Sequence, residues 1–145
     1  MHRSRLAGII IDCQATNLEV AADFWSNALG LSRRTQQNPE DIGYIGLETD
    51  SRDLHIELQQ VDHPSRVHLD IETDDVESEV RRLEALGAKR VTQVRTWWVM
   101  EAPTGHRFCV VRPQELPSQL RPIAGSELPP TKSRCMRLKF DVSCR

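Results

Sequence analysis

The chain has 145 residues, a formal net charge of −2, and 39% apolar and 28% charged side chains. Those proportions suit one globular domain and argue against wholesale disorder, and the near-neutral charge argues against nucleic acid as a partner. The longest apolar run, Leu6 to Ile11, is far short of the roughly 20 residues that span a bilayer, and Asp12 ends it below the ~7-residue minimum of a signal peptide's apolar core. No membrane partner is expected, and the sequence reads as cytoplasmic.

Charge and proline are unevenly spread. Residues 1–112 carry 13 Lys and Arg against 18 Asp and Glu; residues 113–145 carry 6 against 3. Five of the eight prolines lie after residue 112. The expected boundary is therefore a domain over 1–112 and a Pro-rich, basic extension over 113–145. Met136, Leu138, Phe140 and Val142 alternate with polar residues there, which leaves a late strand or a mobile tail with one sticky segment. Cys13, Cys109, Cys135 and Cys144 form no C-x-x-C pair and read as free thiols.

Within 1–112 the sequence repeats itself. A segment opening at Gly8 and closing at Leu29-Gly30 is echoed by one opening at Arg66 and closing at Leu86-Gly87, with an offset of 58 that sets Asp12 on Asp70 and Glu19 on Glu77. Each copy opens on a β-branched strand, Ile9–Cys13 and Val67–Ile71. Each continues into a helix with a Thr16-x-x-Glu19 or Asp74-x-x-Glu77 capping signal. Apolar stripes follow at helical spacing: Leu18, Ala21, Ala22, Trp25, Ala28 and Leu29 in the first, Val76, Val80, Leu83 and Leu86 in the second. Gly30 and Gly87 stand where a helix end needs left-handed φ. Later strands are predicted at Asp41–Leu47, Leu54–Val61, Lys89–Val94, Trp97–Glu101 and Arg107–Val111. The fold class is α+β: two βαβββ modules, at about 6–62 and 66–112, forming a cup-shaped mixed sheet with helices outside.

The two-residue period of a strand sorts its side chains by face. Val67, Leu69 and Ile71 make an apolar face that is expected to join Ile11, Leu83, Phe24 and Trp25 in the helix–sheet core. His68, Asp70 and Glu72 make a polar one, as do Asp12 and Gln14 in the first copy. Two related modules turn such faces toward a shared cleft.

This order of elements, with Phe24-Trp25, the Arg66-to-Asp70 strand, Leu86-Gly87 and the Pro103-to-Cys109 turn and strand, resembles the vicinal oxygen chelate superfamily, in its glyoxalase-like branch. That superfamily includes glyoxalase I, extradiol dioxygenases and bleomycin-resistance proteins. The resemblance implies metal-ligand positions at Ile10, Glu57, His68 and Cys109. Ile10 cannot bind a metal, so no cofactor is expected. If a divalent ion is present, His68, Glu57 and Asp12 are the expected ligands.

Without metal the cleft offers acid–base chemistry. Asp12 and Asp70 are repeat-related, and carboxylates brought close push one pKa up; His68 is the natural partner near neutral pH. These three are the expected catalytic residues. Gln14, His55, Glu57, Glu72, Trp97 and Cys109 are the expected ligand-binding residues, with one of Trp97 and Trp98 as an apolar wall and the other under a helix. A pocket with an acidic base suits a small, flat, neutral or cationic molecule. Three functions fit: a metal-independent small-molecule binder or enzyme, a metal-dependent lyase, isomerase or dioxygenase with rearranged ligands, and a non-catalytic sequestration protein. Small modules with strand edges to satisfy also point to a homodimer.

Overall fold

The computed structural model describes residues 2–35 and 42–113 and the backbone of 121–122. The predicted strand start at Asp41 and the segment Met136–Val142 lie outside the described residues. The elements run β1 (Arg3–Cys13), α1 (Leu18–Leu29), β2 (Tyr44–Leu47), β3 (His55–Gln60), β4 (Arg66–Thr73), α2 (Val76–Ala85), β5 (Lys89–Val94), β6 (Trp97–Glu101), β7 (Arg107–Val111) and a two-residue β8 (Arg121–Pro122). One mixed sheet takes the order β2-β3-β1-β4-β7-β6-β5, with β8 beside the start of β1.

The repeat is visible in this order. In each module the first strand pairs in parallel with the last, β1 with β3 and β4 with β7, and the last pairs antiparallel with the one before it. Module two adds β5. Module one has at that place only an isolated bridge from Arg33 to Leu47, so its described part is a strand, a helix and two strands. The modules meet where β1 and β4 pair antiparallel. Ile10 faces His68 across this seam, with Gly8 opposite Asp70 and Asp12 opposite Arg66. Positions 10 and 68 are equivalents at the repeat offset, so the twofold axis of the repeat passes between them.

The helices begin one residue later than their capping signals suggest. Asn17, not Thr16, caps α1 and accepts from the Glu19 amide at 2.9 Å. Asp75, not Asp74, caps α2 and accepts from the Ser78 amide at 3.0 Å. Asp74 instead accepts from the Arg3 amide at 2.7 Å, tying the start of β1 to the end of β4. Gly30 closes α1 at φ 68°, the left-handed conformation its position requires.

Two cores follow. Ile11, Cys13, Leu18, Ala22, Leu47 and Leu58 bury together in module one; Val80, Ala88, Met100 and Val110 do so in module two. Trp25, Leu83 and Trp98 pack partly buried against them, as expected of residues under a helix. Val67 and Leu69 do not join either core: they are 55% and 43% exposed. The reason is where the helices lean. α1 packs mainly on β2 and β3 and also covers Ile11 and Cys13 of β1, and α2 packs on β5, β6 and β7, so that among the described residues neither helix covers β4 at Val67 and Leu69. Phe24, also expected in the core, is 62% exposed and stands edge-on to Trp25 beside that seam.

Candidate functional site

Strand register fixes which side chains share the sheet face away from the helices. Gly8, Ile10 and Asp12 of β1 lie opposite His55, Glu57 and Gln59 of β3 on one side, and opposite Asp70, His68 and Arg66 of β4 on the other. Asp70 lies opposite Cys109 of β7, Cys109 opposite Val99 of β6, and Glu57 opposite Gly46 of β2. By alternation Trp97 falls on this face with Val99. Its neighbour Trp98 falls on the other, where the Arg90 guanidinium lies 4.9 Å over its ring. Ile10, Asp12, Glu57, His68, Asp70 and Cys109 thus occupy one face, as the period-2 reading expects.

His68 is the hub. Its Nδ1 is 2.9 Å from Asp12 Oδ2 and its Nε2 is 3.6 Å from Asp70 Oδ1. Asp12 is almost fully buried and also accepts from Arg66 Nε at 3.2 Å, with His63 Nε2 at 3.9 Å. The two carboxylates do not meet directly, contrary to the repeat-based expectation. Because the axis runs between Ile10 and His68, their Cα positions fall on opposite sides of it, about 13 Å apart along the ladder at ~3.3 Å per residue, and the two side chains approach the His68 ring from either side, one at each nitrogen. The expected upward pKa shift of a carboxylate pair is also absent at Asp12. Burial pushes its carboxyl up, but the hydrogen bond and charge of His68, with those of Arg66, outweigh burial and hold it below the usual carboxylate value.

His55 fills the space that a side chain at position 8 would take. A Cβ on Gly8 would lie 2.1 Å from His55 Nε2, so this glycine in an apolar strand is what lets the ring lie across β1 toward Asp70. His55 Nε2 stands 3.9 Å from Asp70 Oδ2. Asp70 first, then Glu57 and Glu72, draw the imidazole above its ordinary value against the opposing pull of burial. Among the described residues, two buried atoms on this patch, His55 Nε2 and Asp70 Oδ1, have no partner at hydrogen-bond distance; their nearest opposite charges are Asp70 Oδ2 at 3.9 Å and His68 Nε2 at 3.6 Å.

Cys109 completes the floor. Burial, then the negative charges of Asp70 and Asp12, push its thiol up to about 12. His68, Asp70 and Cys109 each bring a ligand atom to within 4.8 Å of the others. Of the ligand positions implied by the resemblance, His68 and Cys109 belong to this group; the carboxylate of Asp12, also expected as a ligand, is engaged by His68 Nδ1 and Arg66. Ile10 is buried and apolar at the first of the implied ligand positions, so the metal set of metal-dependent superfamily members is not rebuilt here. A regrouped set still fits a metal: a histidine nitrogen, a carboxylate and a sulfur converge, and a buried carboxylate oxygen lacks a partner.

The remaining expected ligand-binding residues lie further out. Gln14 is exposed at the end of β1, where its side chain donates to the Asp62 carbonyl at 3.0 Å and holds the β3–β4 loop. Glu72 is buried and accepts from Arg5 Nε at 2.9 Å. Tyr44, absent from the expected set, shares the face; its hydroxyl accepts from Gln59 Nε2 at 2.9 Å, and burial followed by the charge of Glu57 pushes its pKa up. The alternation Tyr44-Ile45-Gly46-Leu47, ending on a fully buried leucine, is the signal that could have found it. A separate groove of about 870 Å³ opens between α1 and the ends of β1 and β4, lined by Val20, Phe24, Trp25 and Val67 among others.

Comparison with known proteins agrees with this architecture. No curated protein matches the sequence. Among solved structures, methylmalonyl-CoA epimerase from Mycobacterium tuberculosis is similar at 17% identity and TM-score 0.55, over 76% of this chain and 88% of that one. The Mn(II)-bound glyoxalase from Novosphingobium aromaticivorans is similar at 17% identity and TM-score 0.53, over 76% of this chain and 39% of that one. A variant of homoprotocatechuate 2,3-dioxygenase from B. fuscum is similar at 17% identity and TM-score 0.50, over 74% and 32%. At such identities the likeness is one of fold. The profile described as glyoxalase-like domain matches residues 8–111. The chain belongs to the glyoxalase-like domain family.

Proposed function

We propose that the sheet face away from the helices binds a small, polar, neutral or cationic molecule and moves a proton on it, without a metal at the inherited ligand positions. The observation that carries this reading is the pair of buried atoms His55 Nε2 and Asp70 Oδ1 on one patch, which have no hydrogen-bond partner among the described residues. Unpartnered buried polar atoms are costly, by about 1–3 kcal/mol each, and a ligand that bonds them recovers that cost. His55, drawn toward its protonated form, is the proton donor. Asp70 is the acceptor beside it, and Asp12 positions His68 through Nδ1. A donor and an acceptor side by side on the floor of the face can give a proton to one atom of a bound molecule and take one from its neighbour, as an isomerase or lyase step needs. Glu57, Tyr44 and Trp97 line the approach. The uncovered outer seam of Leu6, Val67 and Leu69 supports a homodimer.

The test is a thermal-shift screen of neutral, cationic and anionic small molecules against the wild type, Asp70→Asn and Gly8→Ala. Neutral or cationic hits are expected to stabilise the wild type and to lose most of their effect in both variants, because Asp70→Asn removes the acceptor and Gly8→Ala displaces the His55 ring. Anionic hits that stabilise the wild type and Asp70→Asn alike would overturn the reading. They would turn attention to Arg107, whose Nη1 is buried without a partner while its Nη2 bonds Glu101 at 3.0 Å.

A further inference from the structure

We infer that Tyr44 is a specificity-determining residue of this face: its phenolic O–H donates to an uncharged, carbonyl-type oxygen on the bound molecule. This rests on the reading of the face as the binding face, and it narrows the class of ligand to molecules that carry such an oxygen.

Register places Tyr44 on the floor's own face. Tyr44 pairs with Gln59, Gln59 with Asp12 and Asp12 with Arg66, so one row crosses the sheet from β2 to β4. The next row on that face is Gly46, Glu57, Ile10 and His68. Gly43 turns the chain into β2 at φ 90°, a conformation that suits glycine, and its carbonyl accepts from the Gln60 amide at 2.8 Å. The backbone just before the half-buried ring is thereby fixed. A phenol has one proton to give and two lone pairs. The bond from Gln59 Nε2, at 2.9 Å, takes up a lone pair and steadies the hydroxyl. It leaves the proton unspent: among the described residues, no acceptor lies within hydrogen-bond distance of it.

The surroundings of the phenol select what takes that proton. Burial first, then Glu57, Cys109, Asp70 and Asp12, keep the phenol in its protonated form, so it is a donor. Those four residues stand on β3, β7, β4 and β1. The hydroxyl therefore reads the floor and not only the β2 edge. An anionic acceptor here would be repelled by the carboxylates of Glu57 and Asp70. An ammonium would be attracted, but it has no lone pair for the O–H. An uncharged carbonyl or amide oxygen accepts the bond without either conflict. A site built to bond one ligand atom rejects the analogue that lacks it, because its own polar group is then left unpaired.

The chain has a single tyrosine, so a ¹³Cζ-tyrosine label gives one resonance that reports on Tyr44 alone. The experiment titrates the labelled, full-length protein with benzamide, benzylamine and benzoate. These share a ring and carry, in turn, a neutral carbonyl, a cationic amine without oxygen, and an anion. Benzamide is expected to move the tyrosine resonance saturably; benzylamine and benzoate are expected to leave it in place. Tyr44→Phe removes the hydroxyl alone. It should weaken benzamide, measured by ligand-observed NMR, by about two- to tenfold, the span of one uncharged hydrogen bond, and should not weaken benzylamine. Circular dichroism confirms that the variant is folded, and the wild-type resonance is a readout that needs no variant. A resonance that benzamide leaves in place, equal benzamide affinity in wild type and folded Tyr44→Phe, or a resonance that benzoate moves as far as benzamide would each overturn the inference. Benzylamine stabilisation that depends on Asp70, in a protein whose tyrosine ignores benzamide, overturns the role of Tyr44 and leaves the binding-face reading standing. Benzamide binding that depends on Tyr44 and not on Asp70 supports the donor and overturns the proton-transfer reading.

Discussion

The two modules share a plan and divide the work differently. In module one the helix rests on an apolar core, with Leu18 and Ala22 of α1 against Ile11, Cys13, Leu47 and Leu58. In module two Val80 takes the place of Ala22 at the repeat offset, while Glu79 takes the place of Ala21 and is 0% exposed. Its carboxylate is bonded by Arg82 Nε at 2.8 Å and Nη2 at 2.7 Å and by His2 Nε2 at 2.6 Å. The first strands diverge in the same way. Ile10 of module one is an apolar seat, and its equivalent in module two is the hub histidine, His68. A duplicated scaffold can therefore let one copy keep the core simple while the other carries buried polar groups. Every such group must then be partnered from elsewhere in the chain.

The largest expected effects test whether the modules stand alone. Leu58 and Met100 are fully buried, one in each core. Truncation of either to alanine should cost about 3 kcal/mol, within the usual range for a buried Leu or Met. Because the β1–β4 ladder joins the modules along both first strands, urea denaturation followed by fluorescence and by circular dichroism should give one coincident transition for both variants. Two separated transitions in Leu58→Ala would show that module two holds without module one, and the picture of one sheet with two dependent halves would fail.

Glu79→Gln comes next, at about 3 kcal/mol, the usual penalty when one partner of a buried ionic pair is removed. The cost should depend on pH. Burial pushes the Glu79 carboxyl up, but the hydrogen bonds from Arg82 and His2 more than offset it, and the folded pKa lies below the ordinary 4.5. The folded state therefore holds the ionised form more tightly than the unfolded chain does. That contribution is fully present above about pH 4.5 and is lost as pH falls through the lower, folded value. Denaturant melts of wild type and Glu79→Gln between pH 7 and 3 should converge at the acid end. A difference that stays constant with pH would assign the loss to packing and not to charge.

Much of this plan was legible in the sequence, and the misses have physical causes. Periodicity located both helices and the main strands, and the alternation His68-Leu69-Asp70 placed the polar face correctly, because face assignment within a strand is local. Whether a face is covered is not local. Val67 and Leu69 look like core residues and are exposed because the two helices lean outward over the later strands. The meeting of Asp12 with Asp70 failed for a related reason: it depends on which residues of β1 and β4 lie opposite, and only the register puts the axis at Ile10 and His68. Partners far apart in sequence, such as His2 and Glu79, leave no local signal. Gly8 did leave one. A glycine inside an apolar strand marks a close approach, and His55 is what approaches.

The smallest effect on folding, and the sharpest contrast between the modules' shared and private surfaces, belongs to the seam. Leu6, Val67 and Leu69 come from the first strands of both modules and are 45%, 55% and 43% exposed on the outer face. Val20 and Phe24 of α1 extend this apolar strip on one side only. If a second copy covers the seam, the wild-type melting temperature rises with protein concentration by mass action, and sedimentation at tens of micromolar gives twice the chain mass. Val67→Lys, placed on an exposed strand position, should change the stability of the isolated chain by no more than about 0.5 kcal/mol. It should still abolish the dimer, because a charge buried without a partner at an interface costs several kcal/mol. The discriminating result is therefore a variant with the wild-type circular dichroism spectrum, a concentration-independent melting temperature and monomer mass. A wild type that is already monomeric at those concentrations, or a Val67→Lys variant that still dimerises, removes the seam as the contact and leaves its exposure without a partner.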